Sequence, residues 1–352
     1  MRLASLFVLL AAGSLVACSA DEAGGIVRKG HGAAADGDAK AGGSEADPSG
    51  GASGGAASAA VCPSDVTAPV QIATDADATN VRVVGDAVYF QTSTKVVRVG
   101  KDGTGRKEIY ESADLVRAFA DGGALLTIES PDPPNASLKV TGATGNTFEI
   151  GTDLNAASTY AFAADANGFY VLTDSAEGDV IYRLDKRNPQ GLETIAEIAG
   201  VVSSPQIAGG ALWYVVDQTH VMKLALDGGG APAEVFAIGG GTCNLAIDPG
   251  HAYCATSSAI EARDLVGGTS TTLLDSQKSK VRAPFGSAIS ASSGIVVLSK
   301  GEGTVKNLLR SVSAAGAERI VACGRDTIDT SAADATSVAW SEAGKGVFLA
   351  PR

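Results

Sequence analysis

Aromatic side chains are scarce, at 5% of 352 residues with only two tryptophans. So thin a supply argues against a surface built to stack sugar rings. Histidine is scarcer still: His31, His220 and His251 are the full set. No Cys-x-x-Cys pair occurs and no histidine is spaced to complete one, which disfavours zinc. Basic residues are outnumbered, 27 Lys and Arg against 39 Asp and Glu, for a formal charge of −12. That sign, without any Lys/Arg cluster, repels phosphate backbones, so no nucleic-acid partner is expected. Helical periodicity is almost absent, which removes bundles and α/β layouts. No apolar run reaches the roughly 20 residues of a bilayer-spanning helix. Catalytic signatures are missing as well. Residues 62–352 hold no Ser-x-Asp-x-Gly box, no Gly-x-Ser-x-Gly elbow and no His-rich set. Enzyme chemistry therefore has no evident carrier of paired carboxylates, metal ligands or an activated nucleophile.

What is present begins at the N-terminus. Arg2 and the apolar run Leu3 to Val16 have the layout of a signal peptide. The run ends in Leu15-Val16-Ala17-Cys18, which resembles the box of bacterial lipoproteins. The resemblance implies cleavage after residue 17 and lipidation of Cys18, whose acyl chains would give a stable membrane anchor. Ser19 follows the cysteine where Asp would signal inner-membrane retention, so the implied address is the outer membrane, on its periplasmic face or at the cell surface. Residues 19–61 are mostly Gly, Ala, Ser and Asp. Such a composition buries too little to offset its ordering entropy and predicts a disordered tether of roughly 35 Å reach. The expected organisation is a signal peptide at 1–17, the lipidated cysteine and linker at 18–61, and one folded body at 62–352, which carries −10.

The body repeats. Seven short apolar strands are centred on Tyr89, Leu125, Tyr170, Trp213, Tyr253, Val296 and Ala339, spaced 36, 45, 43, 40, 43 and 43 residues apart. A strand-only period near 42 matches the four-stranded blades of a β-propeller. Blade one shows the pattern: Val81–Val84, Val88–Phe90, Val96–Val99 and Glu108–Tyr110, with turns at Gly85-Asp86 and Asp102-Gly103. Similar turns recur at Asn167-Gly168, Gly209-Gly210, Asp227-Gly228 and Gly267-Gly268. The last repeat stops one strand short, while Pro69–Ala73 precedes blade one unassigned. Supplying that strand to the last blade closes the ring and removes an open edge. The expected fold is all-β, a seven-bladed propeller closed by its N-terminal strand, with six or eight blades as alternatives.

Four cysteines remain besides Cys18, and an even number in an exported chain reads as two disulfides. Cys243 and Cys254 flank the turn Asp248-Pro249-Gly250, which favours Cys243–Cys254 and leaves Cys62–Cys323 to tie the closing segment beside the seam. A cation flanked by apolar residues recurs on the third strands: Arg98, Lys139, Arg183, Lys223 and Arg310, with Arg263 a looser match. These are expected to lay their stems over apolar surface with their heads in water.

Phe169-Tyr170-Val171-Leu172-Thr173-Asp174 and Leu212-Trp213-Tyr214-Val215-Val216-Asp217 resemble the strands of YWTD-type and NHL propellers. The fuller unit is similar to repeats of propeller lipoproteins in high-GC bacteria such as myxobacteria. The resemblance spans residues 69–350, is clearest in blades one, three and four, and implies fold alone, since propellers host unrelated functions. YWTD and NHL rings usually have six blades, so seven is a departure.

The reading this supports is a non-catalytic envelope lipoprotein whose propeller is a binding scaffold for envelope proteins or a small ligand. Its candidate binding face comprises Arg82, Arg117, Tyr160, Gln206, Asn244 and Asp329, where loops enter the innermost strands. The alternatives are a propeller enzyme of lactonase, lyase or glycosidase type working in the central channel, or a wall-associated structural protein. No cofactor is implied; the one cation left open is Ca²⁺. Asp165, Asp248 and Asp334 recur just after innermost strands and would be its ligands, or acid and base, although capping of turns is the simpler role.

Overall fold

The computed structural model describes residues 62–352 apart from 122, 132, 143–144, 157, 176–177, 188, 190, 227–230, 239–242, 276, 282–284, 292–293 and 302–304. The segments expected to be signal peptide and linker, with Cys18, lie outside the described residues, as does the Asp227-Gly228 turn. Every regular element among the described residues is a β-strand, and together they make seven four-stranded antiparallel sheets. Blade one is Thr79–Val84, Ala87–Gln91, Lys95–Gly100 and Lys107–Glu111, within two residues of the expected bounds. Blades two to six repeat the same order outward from the axis. Gly85, Gly103, Gly209, Gly210 and Gly268 take positive φ at the expected turns, the conformation glycine adopts most readily, whereas Asn167 and Gly168 turn without it.

Blade seven is composite. Its strands Ser331–Ala333, Ser337–Glu342 and Gly346–Pro351 are completed on the outside by Val70–Ala73 from the other end of the chain. Val70 pairs with Leu349, Gln71 with Phe348 and Ala73 with Val347. Gly346 is needed here. At φ +116° it lets its own backbone run so close to Ala73 that a Cβ would lie 2.2 Å from the Ala73 carbonyl oxygen. The Cys62–Cys323 disulfide, with Cα atoms 5.7 Å apart, ties the segment before this strand to the outer strand of blade six. The second disulfide joins Cys243 to Cys254 across the turn between two strands of blade five, Cα atoms 5.3 Å apart.

The seven sequence centres occupy one register. Tyr89, Leu125, Tyr170, Trp213, Tyr253, Val296 and Ala339 pair across to Arg82, Ala120, Ala163, Gln206, Ala246, Ile289 and Ala332 on the innermost strands. Blades are covered on both faces, so their second strands read as unbroken apolar runs rather than alternating ones. Leu212 to Val215, for instance, are all buried. Each of the seven blade-to-blade interfaces holds its own apolar cluster. Between blades two and three, Phe119, Leu126 and Leu138 meet Phe169, Val171 and Leu184. Across the seam, Ala339, Val347 and Ile72 meet Val88 and Phe90.

The third-strand cations follow the expected pattern with one exception. Lys223 and Arg263 lie over the rings of Trp213 and Phe236 at 5.0 and 4.9 Å. Arg98, Lys139 and Arg183 keep partial exposure and pair with Asp86, Glu129 and Glu193. Arg310 departs from it, with a fully buried side chain. It donates to Glu318 at 3.1 Å, to the Ser279 hydroxyl at 2.5 Å and to the Val281 carbonyl at 3.3 Å. The reason is local: residues 279–281 fold over this strand, and Ser279 and Val281 are themselves buried.

Candidate functional site

The innermost strands enclose a channel of ≈ 450 Å³. Their inner edges have no strand to pair with, and side chains from the adjacent blade satisfy them instead. The Thr330 hydroxyl accepts from the Val81 amide at 3.2 Å, and the Gln91 amide donates to the Val116 carbonyl at 3.0 Å. Gln206 bonds both the Leu245 carbonyl and, at 3.1 Å, the Ile247 amide. Gln206 is therefore a stitch between blades four and five. This is how a ring of open edges is protected without further strands.

Register shifts interrupt the innermost strands of blades one, two, three, four and six, but not those of blades five and seven. A bulge turns side chains away from simple alternation. Four candidates, Arg82, Arg117, Tyr160 and Gln206, belong to bulged strands and line the channel. Asn244 begins the regular inner strand of blade five and donates to the Ala255 carbonyl at 3.4 Å. Asp329 lies just before that of blade seven, where burial pushes its carboxyl up and Glu342 adds to the shift. Neither lines the channel. Two bulges place non-glycine residues in the left-handed region on the channel wall, Asn80 at φ 49° and Ser204 at φ 51°. Such strain persists where the surroundings fix it, and it concentrates at binding sites.

The chemistry of the wall is lopsided. Among the described residues its charged members are Arg82, Arg117 and Asp121, all contributed by blades one and two. Each arginine lies against an aromatic ring of the following blade. The Arg82 guanidinium sits 3.8 Å from the Phe119 ring centre, and that of Arg117 5.7 Å from Tyr160. Phe119 is buttressed edge-on by Phe169 at 6.2 Å. Asp121 is committed to Lys186, which also donates to the Asp165 carbonyl at 2.6 Å. Burial lowers Arg82 to about 10, with Asp121 opposing the shift. Water in the channel still reaches part of the side chain, but protein surrounds the remainder. The far wall is neutral, with Ile247, Ala288, Ile289, Thr330, Ser331 and Ala332.

The recurring aspartates cap turns. Asp165 accepts from the amides of Asn167 and Gly168 and from the Tyr170 hydroxyl. Asp248 accepts from Gly250, His251 and the Tyr253 hydroxyl. Asp334 accepts from Thr336 and Ser337, and it pairs with Lys101 of blade one. Burial alone would raise these carboxyls, but in each the hydrogen bonds outweigh it and hold the group below its ordinary value. They are spread over the rims of separate blades, so they form neither an acid–base pair nor a ligand set. Of the histidines, His251 lies 3.4 Å from Asp248 and His220 3.2 Å from Glu234.

The fold has counterparts among solved structures. Virginiamycin B lyase from Staphylococcus aureus aligns over 80% of this chain and 97% of its own, with a TM-score of 0.56 and 13% identity. Kluyveromyces lactis Hsv2 aligns over 76% and 94%, with a TM-score of 0.53 and 12% identity. PorZ, a surface component of the type-IX secretion system of Porphyromonas gingivalis, aligns over 79% and 37%, with a TM-score of 0.54 and 10% identity. At these identities the likeness is one of fold. No family model matches the chain, and no curated protein sequence matches it.

Three features of the site escaped sequence reasoning. Phe119 looked like an ordinary strand residue, although an arginine one blade earlier at the matching height could have pointed to its stacking. Gln206 carried no sign of its bridging role. The pairing of Lys101 and Lys186 with the preceding blade's aspartate was legible in principle, since both lysines stand three residues after a third-strand arginine, Arg98 and Arg183.

Proposed function

We propose that the protein is an exported envelope lipoprotein, anchored through Cys18, whose propeller is a non-catalytic binding module with its site in the central channel. The observation that carries the reading is the make-up of the wall: two guanidiniums lying against rings, one carboxylate already paired, the amides of Asn80 and Gln206, and otherwise apolar or hydroxyl side chains. Those groups can hold a ligand in place. A nucleophile with its base, or two carboxylates free to exchange a proton, is not among the described lining residues. Two disulfides support an oxidising compartment outside the cytosol.

The test is expression of the full chain and of Cys18→Ser in a bacterium with lipoprotein processing. Radiolabelled palmitate is expected in the first and absent from the second, which is expected to leave the membrane fraction. Cross-linking in solubilised envelope is expected to recover discrete envelope proteins. Recovery of peptidoglycan alone would overturn the scaffold reading in favour of a wall-associated role.

A further inference from the structure

We infer that the channel is an oxyanion site, in which Arg82 offers its guanidinium fork to a carboxylate or phosphate group borne by a small apolar molecule, with Arg117 as the second cation. The inference rests on the reading of the channel as the binding site and names the class of ligand it takes.

Arg82 is the group that requires an explanation. It makes no hydrogen bond and no ion pair among the described residues, and its contact is the face of Phe119 at 3.8 Å. A guanidinium carries five N–H donors, and those of this partly buried head, with no acceptor among those residues, are left to whatever fills the channel. The same chain shows the ordinary solution at Arg310, where a carboxylate, a hydroxyl and a carbonyl surround the buried head. Arg82 is left without such partners in a body whose net charge is strongly negative. The carboxylate nearest to it in effect, Asp121, is held by Lys186.

Position and shape agree with this. Arg82 is the one charged residue in the tier facing the second-strand centres, where Ala120, Ala163 and Ala332 leave room around it. Contact with the Phe119 ring at 3.8 Å restrains the guanidinium in advance, so less side-chain entropy is lost when a planar oxyanion meets its fork through two parallel bonds. Arg117 adds charge one blade further round. Ile247, Ala288, Ile289 and Phe162 offer an apolar wall for the body of the ligand, and the ≈ 450 Å³ channel limits it to small molecules.

The test uses the full-length chain in detergent, titrated calorimetrically with benzoate, phenyl phosphate, inorganic phosphate and benzyl alcohol. Benzoate or phenyl phosphate is expected to bind, more weakly as NaCl rises, and neutral benzyl alcohol is not. The tighter of the two anions assigns the ligand as carboxylate or phosphate ester. Arg82→Gln is expected to weaken binding at least tenfold without lowering the thermal midpoint, because it removes an unpartnered charge. If Arg82→Gln does not fold, Arg82→Lys takes its place; it keeps the charge but not the fork and is expected to lose binding several-fold. Absence of anion binding by the wild type, or equal affinity in the Arg82 variants, would overturn the inference. Binding of inorganic phosphate alone would overturn the apolar body. Partner proteins that still co-purify with a chain that binds no anion would sink this inference and leave the scaffold reading standing.

Discussion

Opening the covalent latch at the seam gives the sharpest test of how this ring is held. The perturbation is the double variant Cys62→Ser with Cys323→Ser. The bridge spans 261 residues, and loop-closure entropy for that length sets an upper bound of about 5–6 kcal/mol. The realised loss is expected to be smaller, about 3–5 kcal/mol. The strand Val70–Ala73 keeps its ladder to blade seven after the bridge is gone, with Ile72 and Ala73 still buried. Trp340, fully buried in blade seven against Phe348 at 5.9 Å, reports on the seam. Trp213 sits in blade four, and a Trp213→Phe background removes its signal. With a urea slope of roughly 3 kcal/mol per molar for a body this size, the Trp340 midpoint should fall by about 1–1.7 M. A midpoint within about 0.2 M of the bridged protein would refute the reasoning: strand pairing alone would then close the ring.

The buried pair of blade six gives a second prediction. Glu318→Gln or Arg310→Met alone should cost about 3–5 kcal/mol in urea unfolding, whereas Arg310→Met with Glu318→Leu should recover much of it, because the first leaves an uncompensated group and the second does not. The turn aspartates give a pH dependence. Asp165 and Asp248 titrate below the ordinary 3.8, so their contribution is complete above that value and is lost as pH falls through the folded-state values. The urea midpoint should thus be flat from about pH 7 to 5 and drop below about pH 4, with a shallower drop in Asp248→Asn. Gly346→Ala should destabilise by more than about 1 kcal/mol, since the new Cβ meets the Ala73 carbonyl and the backbone there has positive φ. Circular dichroism melts of that variant beside Gly85→Ala, whose Cβ would meet nothing within 4 Å, separate the close approach from the cost of positive φ.

Much of the architecture was legible in the sequence because a blade is a local object. Its hairpins follow from short-range turn chemistry, and its double burial writes apolar runs that recur at each repeat. Even the closure was readable, from a strand too many at one end and one too few at the other, with Cys62 and Cys323 beside them. The channel wall was less so. Counting along the inner strands places Asp329 level with Arg117 and Tyr160 and Asn244 one residue off, but the bulges in blades one to four have no counterpart in blades five and seven, so equal counts do not give equal aim. Arg310 had the same flanking pattern as Arg98, and only the excursion of residues 279–281 over it separates a buried ion pair from an exposed one. Contacts between blades join residues roughly forty apart, and nothing in the local pattern records them.

The composite seventh blade also dictates an order of events. A chain that emerges from its N-terminus presents Val70–Ala73 first, yet the strand it must pair with, Gly346–Pro351, comes last. Until the final strands appear, six finished sheets stand in an open arc with an uncovered apolar face at each end, and only the Cys62–Cys323 bridge to blade six can hold the N-terminal segment near its place. Any product cut short in synthesis or transit is left in that state, open to proteases and to pairing with a neighbour. Only a chain that reaches Gly346–Pro351 can cover both of those faces and give Val70–Ala73 a strand to pair with.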